Sequence, residues 1–262
     1  MQSRDHPYGR LPDELAGSAF PSITYVIRTE STNADAAKLL GEHDHFGLSI
    51  VAEHQTRGSG RKGRSWTSQP GTSLLVTTIL PRAVATRNLW IVPFWTALSV
   101  RKALAAHGVT TALHWPNDLL IPQRGKVAGI LCVSRIAGDT AWAACGVGVN
   151  VHRHPGGLSA LAPPAAFCDD VARADRARLL LAILHEYEAA LDSLDDPRGI
   201  AAAWEAAAGV PGARYRIVND GAPTSFDATA LRLAEDGGLV VERDGGRTET
   251  VNLADARVLR DA

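Results

Sequence analysis

The stretch RGSGRKGR, residues 57–64, sets three glycines and four basic side chains in eight positions, with Trp66 just beyond. It comes directly after an apolar run, residues 48–52, that reads as a buried strand. Glycine lets a backbone approach a ligand closely and aim its N–H groups at an anion. Arginine and lysine add fixed positive charge suited to phosphate or carboxylate. A strand emptying into such a loop suits an anionic ligand, although a solvated turn or a small nucleic-acid patch has the same composition. Residues 58–65 also spell GSGRKGRS, the spacing of a phosphate-binding loop with Arg64 in the lysine position. That motif needs a helix immediately after it. Here the chain continues Trp66-Thr67-Ser68-Gln69-Pro70-Gly71, which stops a helix rather than starting one, so that reading fails.

At 262 residues the chain has room for one large domain and a small one. Its 45% hydrophobic and 21% charged content is that of an ordinary globular protein. A net charge of −1 makes the basic loop a local feature, whereas a dedicated nucleic-acid binder spreads positive charge over a face. Three cysteines, Cys132, Cys145 and Cys168, include no CxxC and suggest neither a disulfide framework nor a zinc site. Cys132 and Cys145 lie in apolar strand-like runs and read as buried small hydrophobes. His152 and His154 lack a companion at ligand spacing, so no metal site is expected. The polar, proline-containing N-terminus carries no signal peptide and no long apolar segment follows, which leads us to expect a cytoplasmic protein with no membrane association.

Residues 1–20 read as a loop-like extension. Residues 23–27 read as a strand, and Ser31-Thr32-Asn33 leads into an alanine-rich helix ended by Gly41. Capping employs one of those three polar residues and leaves two without a local reason. A second buried strand is expected over 73–80, a long apolar helix over 89–106, and a hairpin pairing 114–121 with 126–133. A strand over 142–151 contains GVGVNV, and helices follow over 173–194 and around Trp204. Beyond residue 210 the pattern changes to short alternating runs at 214–218, 226–233, 238–243 and 248–252. The hairpin turns Asp236-Gly237-Gly238 and Asp244-Gly245-Gly246 punctuate them, the signature of a small β-barrel. The expected domains are therefore 1–20, 21–209 and 210–262.

Five segments, STNADA, AEHQTRGSGRKGRSW, HWPNDLL, GKVAGILCV and GVGVNV, occur in this order between residues 31 and 151. Taken together they resemble the biotin protein ligase family. The resemblance implies an α+β fold: a mixed β-sheet catalytic domain of the class II synthetase-like biotin/lipoate ligase type with flanking helices, plus a small C-terminal SH3-like β-barrel. It also implies a reaction in which ATP activates biotin to biotinyl-5′-AMP, after which biotin passes to a lysine of the biotin carboxyl carrier domain of an acetyl-CoA or related carboxylase. ATP and biotin are then substrates, and Mg²⁺ is expected to travel with the nucleotide phosphates.

Residue by residue, the resemblance makes Lys126 and Arg61 the catalytic pair, with Lys126 bridging the biotin carboxylate and the α-phosphate. Without its neighbours Lys126 reads equally as a solvated turn lysine. Biotin contacts fall on Ser31, Thr32, Asn33, Gln55, Ser59, Gly60 and Gly129, along with the catalytic pair. Nucleotide contacts fall on Gly58, Lys62, Arg64, Trp66, Asn117 and Asn150, again with Arg61 and Lys126. Lys62 and Arg64 can also face solvent, and Trp66 can also be a core residue. Asn33 and Asn117 are expected to brace the pocket, and Asn150 to meet the adenine or ribose.

The chain departs from the family in two places. Ser59 stands where the family's GRGR loop has its first arginine, and no Thr-Ser-Leu segment is recognisable around residues 165–170. Only about twenty residues precede the motifs, too few for a winged helix-turn-helix, so a ligase that binds no DNA is expected, as a monomer or weak homodimer. The rivals are a lipoate or octanoate ligase of the same fold, which carries a KxSG-type lysine motif in place of KVAGIL, and a non-catalytic nucleotide- or RNA-binding module.

Overall fold

The computed structural model describes residues 6–153, 164–219, 225–252 and 256–259. The segment expected as a loop-like extension contains a short helix, α1 (Leu11–Glu14), started by Pro12 in its first turn. Tyr8, Leu11 and Leu15, spaced three and four apart, enter the main core together with Phe20. Tertiary packing therefore claims a segment whose polar composition suggested solvent.

Strand β1 (Ser22–Thr29) is followed by α2 (Thr32–Leu39) and β2 (Leu48–Gln55), a crossover unit in which β2 lies parallel to β1. Gly41, just past α2, has φ of 90°, a conformation glycine adopts without strain. Strand β3 (Ser73–Ile79) runs antiparallel to β2. A two-residue strand, β4 (Val84–Ala85), and a 3-10 turn then lead into α3 (Val92–Ala106).

The expected strand over 114–121 divides into β5 (Ala112–His114) and β6 (Asp118–Ile121), which pair with each other. Pro116 has no N–H for a ladder, and the chain reverses across residues 115–117. Strands β7 (Gly125–Ala137) and β8 (Thr140–Asn150) complete an eight-stranded mixed sheet in the order β1-β2-β3-β8-β7-β6-β5, with β4 beside β8. Helices α4 (Arg176–Ala190) and α5 (Pro197–Ala208) each begin at an aspartate cap. Asp175 accepts from the Arg178 N–H, and Asp196 accepts from that of Gly199.

Helices cover both faces of the sheet. Ile50 and Ile79 pack with Ala36 and Leu40 beside α2, while Val51 and Val76 join the larger core that includes residues of α3, α4 and α5. That alternation along β2 is the period of two for a strand buried on both sides.

A second sheet follows, built from β9 (Arg214–Asn219), β10 (Ser225–Leu233), β11 (Leu239–Arg243), β12 (Thr248–Val251) and β13 (Ala256–Leu259). It is antiparallel in the order β12-β11-β10-β9-β13. The sequence pattern anticipated all but β4 and β13, with β5 and β6 read as one strand. Contacts tie this sheet to the rest of the chain: Trp115 Nε1 donates to Gly237 O at 3.0 Å, Glu205 of α5 accepts from the Leu233 N–H at 2.6 Å, and the His114 ring meets that of Tyr215 edge-on at 5.3 Å.

Candidate functional site

A cavity of about 160 Å³ opens where the start of α2, the end of β2, the start of β7 and the end of β8 converge with the basic loop. Its lining contains Ser31, Thr32, Asn33, Gln55, Ser59 and Gly60. It also contains Arg61, Arg64, Trp66, Asn117, Lys126, Gly129 and Asn150. Two of the nominated residues stand apart from the lining. Gly58 is buried at the base of the loop, and Lys62 is exposed at its tip.

One end of the cavity is a neutral hydrogen-bond network. Gln55 Oε1 accepts from the Thr32 N–H at 2.7 Å and from the Thr32 hydroxyl at 3.0 Å. Thr77 Oγ1 lies 2.8 Å from Thr32 Oγ1 and 2.7 Å from Asn33 Oδ1, and Asn33 Nδ2 donates to Leu131 O. Ser31, at the cap position of α2, makes no capping bond with its side chain. The polar residues that capping left unexplained therefore line or support the cavity. Gly146 lies beneath this network, where a Cβ would run into Asn33 Oδ1 and the Leu131 carbonyl.

The basic loop folds back on itself. Trp66 N–H donates to Gly58 O at 2.8 Å, Gly60 N–H donates to Arg64 O at 2.6 Å, and Ser59 bridges Ser65 through the main chain. A Cβ on Gly58 would lie 2.6 Å from Trp66 O, so this closure needs glycine there. Ser59 thus takes part through its backbone, while its hydroxyl donates to Arg57 O. The Trp66 indole lies over bare backbone: a Cβ on Gly148 would be 2.7 Å from Cε2, and one on Gly129 would be 3.0 Å from Cζ3. Its Nε1 is buried with no hydrogen-bond partner among the described residues.

The other end of the cavity is charged. Arg61, Arg64 and Lys126 face a single lining carboxylate, Asp118. Burial, with repulsion from Arg64 added, pulls the Arg61 guanidinium below its ordinary value, and Asp118 works in the opposite direction. Lys126 Nζ sits 2.7 Å from Asp118 Oδ1 and 5.4 Å from the centre of the Trp66 ring.

A bulge in β7 aims the lysine. Gly129 pairs with Asp118 and Ala128 with Leu119, but Leu120 pairs with Lys126, leaving Val127 as the extra residue. Val127 and Ala128 are both core residues, which strict alternation forbids. Without the bulge Lys126 would sit opposite Ile121, whose side chain points into the core.

Two asparagines brace the site. Asn117 Nδ2 donates to Ile130 O at 2.7 Å, and the Ile130 N–H returns a bond to Asn117 O. Asn150 is buried, and its Nδ2 donates to the carbonyls of Lys126 and Ala166. Its amide nitrogen is therefore engaged by the main chain, and Oδ1 is the atom that remains for a ligand. Sequence reasoning passed over Thr77, hidden in an apolar run, and Asp118, inside the quoted WPND. It also passed over Gly146 and Gly148 in the β8 motif. Of the two histidines weighed as metal ligands, His152 pairs with Asp169 at 3.1 Å and His154 lies outside the described residues. Among the described residues no three His, Cys, Asp or Glu side chains gather where they could hold a metal ion.

Residues 25–150 match the biotin/lipoate A/B protein ligase family. The chain is 32% identical to the biotin–[acetyl-CoA-carboxylase] ligase of Mycobacterium tuberculosis, over 95% of this chain and 94% of that one. It is 37% identical to the enzyme of the same name from Paracoccus denitrificans, over 50% of this chain and 55% of the relative. Its fold superposes on a biotin protein ligase from Aquifex aeolicus, solved with biotin and ATP, with a TM-score of 0.72 at 23% identity. That match covers 92% of this chain and all of the other.

Proposed function

Because this chain belongs to the biotin protein ligase family, we infer that it is an ATP-dependent biotin ligase. In this reaction an oxygen of the biotin carboxylate attacks the α-phosphorus of ATP, and the bond to pyrophosphate breaks. A carrier lysine amine then attacks the acyl carbon of the mixed anhydride, AMP departs, and the nitrogen loses a proton. The relatives' names give acetyl-CoA carboxylase as the acceptor, and we place the modified lysine on its biotin carboxyl carrier domain.

The observation that carries the reading is the polarity of the cavity, with neutral donors and acceptors at one end and three cations against one carboxylate at the other. A urea ring suits the first end, because buried polar groups must be paired. Two anions forced together suit the second, where Lys126, Arg61 and Arg64 offset their repulsion and the charge developing between them. We assign the biotin contacts to Ser31, Thr32 and Gln55, and the nucleotide base to the exposed face of Trp66. No protein cage for Mg²⁺ is present among the described residues, so no step is assigned to one. No described helix is long and apolar enough to cross a membrane. A cytoplasmic ligase that binds no DNA, monomeric or weakly dimeric, completes the proposal.

The test is exchange of labelled pyrophosphate into ATP with biotin or lipoate as the acid. Exchange with biotin alone is expected. Exchange with lipoate in its place would retain the fold and overturn the substrate, and silence with both would overturn the reaction.

A further inference from the structure

Asp118 is the one carboxylate lining a cavity otherwise furnished with cations, and the chemistry above gives it no part. Its position looks adverse, since a carboxylate beside two incoming anions repels them both. Yet the local fold is arranged around its contact with Lys126. The bulge at Val127 puts Lys126 on the face that carries Asp118. Gly129, the partner of Asp118 across the ladder, leaves the space the lysine passes through: a Cβ there would lie 3.0 Å from Nζ and 3.1 Å from Cε. The two side chains are 24% and 17% exposed, so their 2.7 Å contact is mostly out of solvent. No donor stands in hydrogen-bond alignment with the buried Asp118 Oδ1 among the described residues. The carboxylate therefore holds the ammonium by charge at short range, without capturing an N–H along its axis.

We propose that Asp118 is the positioning residue for Lys126, a charge tether that keeps the ammonium inside the cavity, against repulsion from Arg61 and Arg64, with its donors free for the two reacting anions. This deepens the ligase reading and rests on it. A lysine carries three rotatable donors on a long flexible stem. Left untethered beside two guanidiniums, it would swing toward water. Misplacement of a catalytic group by about 1 Å can cost on the order of a hundredfold in rate. The tether acts on the placement of Lys126 and not on the affinity for biotin, so its loss should appear in kcat.

The experiment compares wild type with Asp118→Asn, which keeps the shape and removes the charge, in biotin-dependent pyrophosphate exchange. The expected result is a fall in kcat of about ten- to a hundredfold, with KM for biotin within about threefold and the melting temperature unchanged. Asp118→Glu, which restores the charge, should recover part of the loss. A double-mutant cycle on the affinity for a non-hydrolysable biotinyl-adenylate analogue isolates the coupling. With Lys126→Ala already present, Asp118→Asn should have no further effect. Wild-type kcat in Asp118→Asn, or an equal loss with and without Lys126, would overturn the tether and leave the ligase reading standing. A wild-type protein that exchanges nothing with biotin would overturn the ligase reading itself.

Discussion

Two glycines of the site show how much depends on one missing methyl group. At Gly129 a Cβ would meet the far ends of Lys126 and Trp66, each at 3.0 Å, and both side chains can move aside. At Gly146 it would run into Asn33 and the backbone carbonyl of Leu131, which cannot. Gly129→Ala should therefore cost under about 1 kcal/mol of stability while lowering adenylation about tenfold or more, because Lys126 is displaced. Gly146→Ala should cost about 1–3 kcal/mol by forcing β7 and α2 away from β8. Denaturant titration alongside pyrophosphate exchange checks both. The pair of predictions fails if the two variants lose stability and activity in the same proportion.

At the scale of elements, helices α4 and α5, which follow the large sheet in the chain, are started locally and held by packing. Asp175 caps α4 at 2.9 Å from the Arg178 N–H, and the next residue, Arg176, forms a largely buried ion pair with Glu53 of β2 at 3.1 Å. Glu53 also accepts from the Tyr25 hydroxyl, so one carboxylate joins β1, β2 and α4. Asp175→Ala removes a cap remote from the cavity. It should lower the unfolding free energy by about 1 kcal/mol and leave KM for biotin and ATP unchanged. A shift in either KM would mean that α4 communicates with the site, contrary to the geometry. The β7 bulge is the contrasting element, since it keeps Val127 and Ala128 in the core and at the same time turns Lys126 toward the cavity.

For the whole molecule, the buried acids predict how stability responds to alkali. Burial pushes the Cys168 thiol from 9.0 to about 12, with Asp169 and Asp170 adding to the rise. Burial likewise raises Tyr8 and Tyr187, and the hydrogen bond with Cys145, followed by burial, raises Cys132. In each case the folded state holds a proton that the unfolded chain releases sooner. The contribution is therefore complete below the unfolded value, 9.0 for the thiols and 10.0 for the tyrosines, and is lost as pH rises above it. The urea midpoint should fall between pH 8 and pH 10, and Cys168→Ala should flatten that fall. A midpoint that holds or rises over this interval would contradict the burial of these groups.

What the sequence determined by itself was local or periodic. Alternating and helical spacing announced the strands and the long helices, aspartate-glycine turns announced the second sheet, and five ordered motifs announced the family. Each of these signals depends on neighbours within a few residues, which is the range over which backbone sterics and hydrogen bonds act. Most of the nominated cavity residues were legible for the same reason, because polar or glycine positions inside apolar runs are conspicuous. The tertiary structure decided what depends on partners distant in the chain. Tyr8, Leu11 and Leu15 look solvent-bound until a core accepts them. Thr77 reads as one more residue of a buried strand until Thr32 and Asn33 arrive from 45 and 44 residues away. Asn150 lines the cavity as expected, but that its amide nitrogen is held by the carbonyls of Lys126 and Ala166, leaving Oδ1 to the cavity, is visible only in the fold. Asp118 gains its meaning only from a bulge that turns Lys126 to meet it. Register and packing are set by the partner strand, and no window of the chain contains that partner.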